Sequence, residues 1–166
     1  VWEDNMSRTA LVTGGSRGIG ATISIALKAA GYKVAATYAG NDEAAAKFTA
    51  DTGIKTYKWD VGSYDACAAG IAKVEADLGP VEVLVNNAGI GAPNPAERVT
   101  EKDFDDTLNV NLKGTFFTAQ AVGRIMIKQK RGRIINICSQ AGFVALPTES
   151  VYRMTKAAIA HLTKCP

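Results

Sequence analysis

The stretch TALVTGGSRGIG at residues 9–20 decides the fold of this chain. Its first five residues form an apolar run that stops at glycine, which is typical of a buried strand in a parallel sheet. The run passes directly into Gly14, Gly18 and Gly20, which open a predicted helix over residues 18–30. A strand, a glycine-rich turn and a helix N-terminus leave backbone N–H groups unpaired, and a dinucleotide pyrophosphate binds to such groups.

The alternation of strand and helix continues along the rest of the chain. Further strands are predicted at residues 33–38, 54–59, 81–85 and 133–137, and further helices at residues 42–52, 63–78, 100–129 and 150–164. Strands that alternate with helices form βαβ units, so the sequence predicts an α/β fold of the Rossmann type. In this fold a doubly wound parallel sheet carries helices on both faces. We expect one such domain over residues 6–166 and interpret residues 1–5 as upstream or introduced sequence.

The composition excludes several classes of protein. The 166 residues are 47% hydrophobic and 21% charged, which is typical of a globular domain. The net charge of +3 is small and evenly spread, which argues against a nucleic-acid partner, and no apolar run approaches the ~18 residues of a membrane span. Three widely spaced cysteines, Cys67, Cys138 and Cys165, indicate neither a disulfide framework nor a metal site. A reducing, cytoplasmic setting is therefore expected.

The end of the second predicted strand indicates which dinucleotide binds. An NAD site usually carries an acidic residue about 20 residues after the glycine turn, where it bonds the ribose 2′-OH. Here the strand ends TYAGN at residues 37–41, without an acid, and Asp42 and Glu43 are expected to begin the next helix. Arg17 could pair with a 2′-phosphate, or it could be an exposed loop cation. The pattern favours NADPH over NADH.

Two further segments follow predicted strands and could line the same cleft. Asp60 and Val61 could hold the adenine edge, although Asp60 could equally form an Asx turn. Residues 86–89, which are Asn86, Asn87, Ala88 and Gly89, could line the cofactor cleft, or they could be a loop that ends in glycine and whose asparagine side chains bond within it.

A candidate for acid–base chemistry follows the fifth predicted strand. Tyr152 and Lys156 are four residues apart in a predicted helix and therefore share one face. A nearby ammonium favours a tyrosinate, and a phenol with a lowered pKa can exchange a proton with a substrate oxygen near neutral pH. Ser139, at the end of the strand, could hydrogen-bond the same oxygen. The alternative is an exposed tyrosine and lysine on a surface helix.

Five motifs occur in a fixed order: TGGSRGIG at residues 13–20, NNAG at 86–89, NLKG at 111–114, the loop at Ser139, and YRMTK at 152–156. In this order and spacing the chain resembles the classical short-chain dehydrogenases/reductases over residues 6–164. The resemblance implies a catalytic tetrad of Asn111, Ser139, Tyr152 and Lys156.

In that tetrad Tyr152 would be the general acid of carbonyl reduction, and Lys156 would also bind the nicotinamide ribose. Ser139 would orient the substrate oxygen, and Asn111 would hold a water of the proton relay. The cofactor-binding residues that we predict are Gly14, Ser16, Arg17, Gly18, Ile19, Gly20, Tyr38, Asp60, Val61, Asn87, Ala88, Gly89, Tyr152 and Lys156.

The two halves of the chain resemble different members of that family. SRGIG and VAATYAGNDEAAAKF in the first half are similar to acetoacetyl-CoA reductases and 3-oxoacyl-[acyl-carrier-protein] reductases, which implies NADPH-dependent reduction of a 3-oxoacyl thioester. GAPNPAERVTEKDF and FVALPTESVY in the second half are more similar to polyol- or sugar-type members, so an alcohol or polyol dehydrogenase is the alternative.

Family members continue with further strands of the sheet, so we expect the domain to be incomplete at its C-terminus. An inactive nucleotide-binding fragment is therefore a third alternative. The resemblance implies a small-molecule carbonyl or alcohol substrate, and a homo-oligomer for a full-length form.

Overall fold

The structure, a computed structural model, describes residues 8–145 and 147–165. Its five strands are β1 (Thr9–Val12), β2 (Lys33–Tyr38), β3 (Lys55–Lys58), β4 (Val81–Asn86) and β5 (Arg133–Asn136). They form one sheet in the order β3-β2-β1-β4-β5, and every neighbouring pair is parallel. The predicted α/β fold of the Rossmann type is thus confirmed. The interpretation of residues 1–5 lies outside the described residues.

Within the described residues, the helices are α1 (Gly18–Ala29), α2 (Asp42–Thr52), α3 (Tyr64–Leu78), α4 (Glu101–Leu108), α5 (Thr115–Gln129) and α6 (Ser150–Leu162). Four of them, α1, α2, α3 and α5, pack on the strands, whereas α4 and α6 pack on each other. Short 3₁₀ turns lie at Ala96–Arg98 and Gln140–Gly142. The helices α2, α3 and α4 begin where Asn41, Ser63 and Thr100 accept a hydrogen bond from a backbone N–H three residues on. Several predicted elements end one or two residues earlier in the structure, because helix and strand ends depend on caps and pairing.

The helix predicted over residues 100–129 has a different geometry in its middle. A π-helical turn at Asn109–Gly114 separates α4 from α5. The Thr115 hydroxyl donates to the Asn111 carbonyl oxygen at 2.7 Å, and Gly114 packs directly against the backbone of Val61. Wide π turns of this kind are frequent at functional sites, and this one carries the predicted catalytic Asn111.

Two apolar cores lie on the two faces of the sheet. Alternate residues of β1 point to opposite faces, so Ala10 and Val12 pack with α1 and α2 while Leu11 packs with α3 and α5. Because all strands are parallel, their carboxyl ends meet at one edge of the sheet. The chain reverses its winding between β1 and β4, which opens a crevice there.

Among the helices formed within residues 8–145 and 147–165, none is both long and apolar enough to cross a membrane.

Candidate active site

The glycine turn at residues 13–20 leaves the N-terminus of α1 open. Gly14 and Gly18 have φ of +61° and +52°, a region that side chains rarely adopt. A Cβ on Gly20 would overlap the Gly14 carbonyl oxygen, so the backbone at these two positions can approach this closely only because residue 20 has no side chain. In contrast to α2, α3 and α4, α1 begins with no side-chain cap and no acidic residue in its first turn. Its first N–H groups are therefore available to an anion.

Hydrogen bonds from β2 and β4 hold this turn in place. The Gly14 N–H donates to Thr37 Oγ1 at 3.1 Å, which fixes the turn to β2. Asn87 Nδ2 donates to the carbonyl oxygens of Thr13 and Gly14 at 3.0 and 3.2 Å. Thr13 Oγ1 accepts from the N–H groups of Asn87 and Ala88, both at 3.0 Å. The Asn87 side chain thus supports the turn rather than bonding within its own loop.

Thr13 and Thr37 had no predicted role, although each is a hydroxyl residue at the end of a buried apolar strand. That pattern is the signal that could have found them. Together with the open helix N-terminus, they make a preformed cradle that fits a pyrophosphate. Residues 14–20 could hold that group, with Ser16 half-buried and Arg17 exposed beside it.

The carboxyl ends of β2 and β3 carry a group of charges beside this cradle. Asp42 begins α2 as predicted, and its carboxylate accepts a hydrogen bond from Lys58 Nζ at 2.8 Å. This bond holds the pKa of Asp42 below its ordinary value, and burial together with the Asp42 carboxylate raises the pKa of Tyr38. Asp42, the acid nearest to the end of β2, is therefore already paired with Lys58. Besides Arg17, Lys58 is a further cation in this region, and no role was predicted for it from the sequence.

Asp60, after β3, makes one of the two contacts considered for it. Its Oδ1 accepts from the Gly62 N–H at 2.8 Å, which is an Asx turn. The Val61 carbonyl accepts from Cys67 Sγ at 3.2 Å and the Val61 side chain is buried. Asp60 itself is exposed at the carboxyl edge of the sheet.

Asn111 is fully buried in the π turn and pairs with the loop that follows β4. Its Oδ1 accepts from the Ile90 N–H and its Nδ2 donates to the Ile90 carbonyl, both at 2.8 Å. A Cβ on Gly89 would lie 3.4 Å from Asn111 Oδ1 and 3.6 Å from Lys156 Nζ. The structure therefore brings Asn111 and Lys156 together around Gly89.

Lys156 lies under Tyr152 on α6. Its Nζ donates to the Ile137 carbonyl at 2.9 Å and stands 5.6 Å from the centre of the Tyr152 ring. Burial lowers the pKa of Lys156, and the nearby Cys138 partly opposes that shift. Lys156 is only 4% exposed, so the alternative of an exposed pair on a surface helix is wrong.

Ser139 is oriented by its own loop. Its Oγ accepts from the Ala141 N–H at 3.1 Å, an arrangement that leaves the hydroxyl proton to donate elsewhere. Arg153 Nε donates to the Ala141 carbonyl at 3.3 Å and so ties this loop to α6. A Cβ on Gly91 would contact both the Tyr152 ring and the Glu149 carboxylate, which places an acid near Tyr152. Neither Arg153 nor Glu149 was given a role by the sequence motifs alone.

The three cysteines are free thiols, with Cys67 buried, Cys138 half-buried and Cys165 exposed. In the part of the chain that the structure describes, no group of three His, Cys, Asp or Glu residues is arranged to hold a metal ion.

Comparison with known proteins places these features in a family context. The family model described as short chain dehydrogenase matches residues 8–166. The chain is 56% identical to an acetoacetyl-CoA reductase of Shinella zoogloeoides over 96% of its own length and 66% of that protein. It is 40% identical to a 3-oxoacyl-[acyl-carrier-protein] reductase of Staphylococcus aureus, over 96% of this chain and 67% of that protein.

Among solved structures, a gluconate 5-dehydrogenase of Burkholderia cenocepacia in complex with NADP and tartrate superimposes with a TM-score of 0.86. It is 38% identical, and the match covers 97% of this chain and 66% of that one. The chain thus spans about two thirds of the length of the relatives that it matches.

Proposed function

The chain belongs to the short-chain dehydrogenase family, and on that premise we propose that it acts as an NADPH-dependent carbonyl reductase on a 3-oxoacyl thioester. The observation that carries the proposal is the grouping of Asn111, Lys156 and Tyr152 around residues 89–91, beside the open N-terminus of α1. The thioester substrate is supported by the 56% identity to an acetoacetyl-CoA reductase.

Each polar side chain has a separate role in the proposed reaction. The bound nicotinamide supplies the hydride. The Tyr152 hydroxyl donates its proton to the substrate carbonyl oxygen, and the Lys156 ammonium, 5.6 Å from the Tyr152 ring, stabilises the resulting phenolate and binds the nicotinamide ribose. Ser139 donates a hydrogen bond to the same carbonyl oxygen. Asn111 holds a water through which the phenolate regains its proton.

The preference for NADPH over NADH rests on charge near the end of β2. Arg17 is exposed at the start of α1, where its guanidinium can pair with a 2′-phosphate. Asp42, the nearest acid, is paired with Lys58. The gluconate 5-dehydrogenase structure in complex with NADP supports the same choice.

A second candidate function is the oxidation of an alcohol or polyol. It is favoured by the likeness to gluconate 5-dehydrogenase and by the Glu149 carboxylate near Tyr152, which can accept hydrogen bonds from substrate hydroxyls. An inactive nucleotide-binding protein remains the third alternative, and it would bind NADPH without turnover.

Two broader properties belong to the same proposal. We propose a cytoplasmic protein, in keeping with its three free cysteines. We also propose a homo-oligomer, because an apolar groove lies exposed between α6 and the π turn with the start of α5, and Leu112, Phe116 and Leu162 are among its lining residues.

An assay of NADPH oxidation with acetoacetyl-CoA, beside NADP reduction with gluconate, tests the reaction. We expect turnover of acetoacetyl-CoA and a fall of roughly 100-fold or more in kcat for Tyr152→Phe, because the proton donor is lost. The affinity for NADPH should stay within about 2-fold, since the bound cofactor keeps its other contacts.

Tyr64→Phe is the matched control, because Tyr64 is exposed on α3 and should tolerate the change. Turnover of gluconate but not of acetoacetyl-CoA would favour the alcohol or polyol dehydrogenase. Binding of NADPH without turnover of either substrate would favour the inactive nucleotide-binding protein. Wild-type turnover by Tyr152→Phe would refute the role given to that residue.

A further inference from the structure

Thr155 is a buried residue of α6 that lies between two of the predicted catalytic residues. It is 0% exposed, as is Asn111. Its Oγ1 accepts a hydrogen bond from Asn111 Nδ2 at 3.1 Å and donates one to the carbonyl oxygen of Tyr152 at 2.7 Å. One hydroxyl group thus joins the Asn111 side chain to the helical turn that carries Tyr152.

The donor and the acceptor in each of these hydrogen bonds follow from the groups that take part. A backbone carbonyl oxygen can only accept, so the single proton of the Thr155 hydroxyl is donated to the carbonyl oxygen of Tyr152. The hydroxyl oxygen then accepts from Asn111, whose other amide proton goes to Ile90. Both donor positions of the Asn111 amide are therefore satisfied only when Thr155 provides an oxygen.

A bond from a helical threonine to the carbonyl three or four residues earlier is common by itself. Thr107 makes such a bond within α4, from its hydroxyl to the Asp103 carbonyl at 2.7 Å. Thr155 differs because its oxygen also receives the Asn111 amide across 44 residues of sequence. The second bond is what links the π turn to α6.

We propose that Thr155 is a positioning residue that fixes the Asn111 side chain relative to Tyr152. Without its hydroxyl, one proton of a buried amide has no acceptor, and Asn111 must turn or admit water to satisfy it. Turning would weaken the pairing of Asn111 with Ile90 and displace the π turn that carries the Asn111 carbonyl. The expected effect on turnover rests on the proposed function, whereas the expected displacement of the Asn111 side chain does not.

Residue-resolved hydrogen exchange in the whole chain tests the positioning directly. The Ile90 N–H donates to Asn111 Oδ1, so its exchange rate reports on whether Asn111 stays in place. We expect Thr155→Val, which keeps the shape but loses the hydroxyl, to raise exchange at Ile90 roughly 10-fold. Thr155→Ser, which keeps the hydroxyl, should return the rate to within about 3-fold of the wild type.

Thr107→Val is the matched control, because Thr107 is equally buried and its hydroxyl bonds within its own helix. It should leave exchange at Ile90 unchanged. Equal exchange at Ile90 in Thr155→Val and the wild type would overturn the proposal. A Thr155→Ser variant that exchanges at Ile90 as fast as Thr155→Val would also overturn it, because loss of the hydroxyl would then not explain the faster exchange.

The same variants give an independent kinetic readout. We expect Thr155→Val to lower kcat roughly 10-fold while the Kd for NADPH stays within about 2-fold, since Asn111 acts on proton transfer and not on cofactor binding. A parallel loss of NADPH affinity would indicate general damage and count against the proposal. A wild-type protein without turnover would contradict the proposed function, and the exchange experiment would still decide the role of Thr155.

Discussion

Arg17 is the side chain on which we expect the preference for NADPH to depend. Replacing it by alanine removes a guanidinium that can pair with the 2′-phosphate, a contact that NADH cannot make. We expect Arg17→Ala to weaken NADPH binding by about 2 kcal/mol, or roughly 30-fold, and to leave NADH binding within about 2-fold. Titration of both nucleotides by their fluorescence measures the two effects separately.

Arg124→Ala is the control for this experiment, because Arg124 is an exposed arginine on α5, far along the chain from the glycine turn. An equal loss of affinity for both nucleotides would assign Arg17 to the pyrophosphate instead. A wild-type preference for NADH would contradict the cofactor choice itself.

Asp42 shows how far single residues could be understood from the sequence. Its place at the start of α2 follows from local signals, namely an asparagine cap before it and the preference of acids for a helix N-terminus. Its pairing with Lys58 does not, because Lys58 lies 16 residues away on β3 and meets Asp42 only when β2 and β3 are adjacent. The charge that a 2′-phosphate would encounter is therefore a property of the folded sheet.

At the scale of elements, the π turn between α4 and α5 depends on a close approach to the loop after β3. A Cβ on Gly114 would lie 2.8 Å from the Val61 carbonyl oxygen and 3.1 Å from its carbonyl carbon. Backbone atoms cannot move aside as a flexible side chain can, so Gly114→Ala should push the turn away. We expect a loss of about 1–3 kcal/mol in the free energy of unfolding, measured by urea denaturation.

Gly123→Ala in α5 is the matched control, because a Cβ there would meet no atom within 4 Å. Alanine is the better helix former by roughly 1 kcal/mol, so this variant should be neutral or slightly more stable than the wild type. If both variants had the same stability, the approach of Gly114 to Val61 would not constrain the turn.

The elements themselves could largely be predicted because their signals are local. Apolar runs, glycine stops and side-chain caps lie within a few residues of the boundaries that they determine. The π turn could not be predicted, because helical periodicity continues through residues 109–114 and nothing local marks the change. Its causes are contacts of Asn111 with Ile90 and of Gly114 with Val61, which come from other parts of the chain.

At the scale of the whole molecule, the groove between α6 and the π turn with the start of α5 is the surface that we expect to hold the proposed oligomer together. It has a volume of about 620 Å³ and is mainly apolar, and Phe116 in its wall is 43% exposed. A carboxylate at this position would be costly to bury against an apolar partner surface. We expect Phe116→Glu to shift the protein to a smaller species in analytical ultracentrifugation, with the helical content unchanged.

Ile127→Glu tests whether any charge on α5 would have the same effect. Ile127 is 78% exposed on the same helix and does not line the groove, so the oligomer should persist in this variant. A wild-type protein that sediments as a monomer would contradict the proposed oligomer, and equal dissociation of both variants would place the interface elsewhere.

The sequence by itself determined the order of the elements, the parallel α/β class, the family, and the residue types at the end of each strand. These features depend on short-range patterns and on motifs whose spacing is visible in one dimension. Only the tertiary structure decided that Asn87 supports the glycine turn 73 and 74 residues away, and that Thr155 bonds Asn111 across 44 residues. The physical reason is that a hydrogen bond depends on distance and direction in space, and these arise for remote residues only when the strands pair and the helices pack.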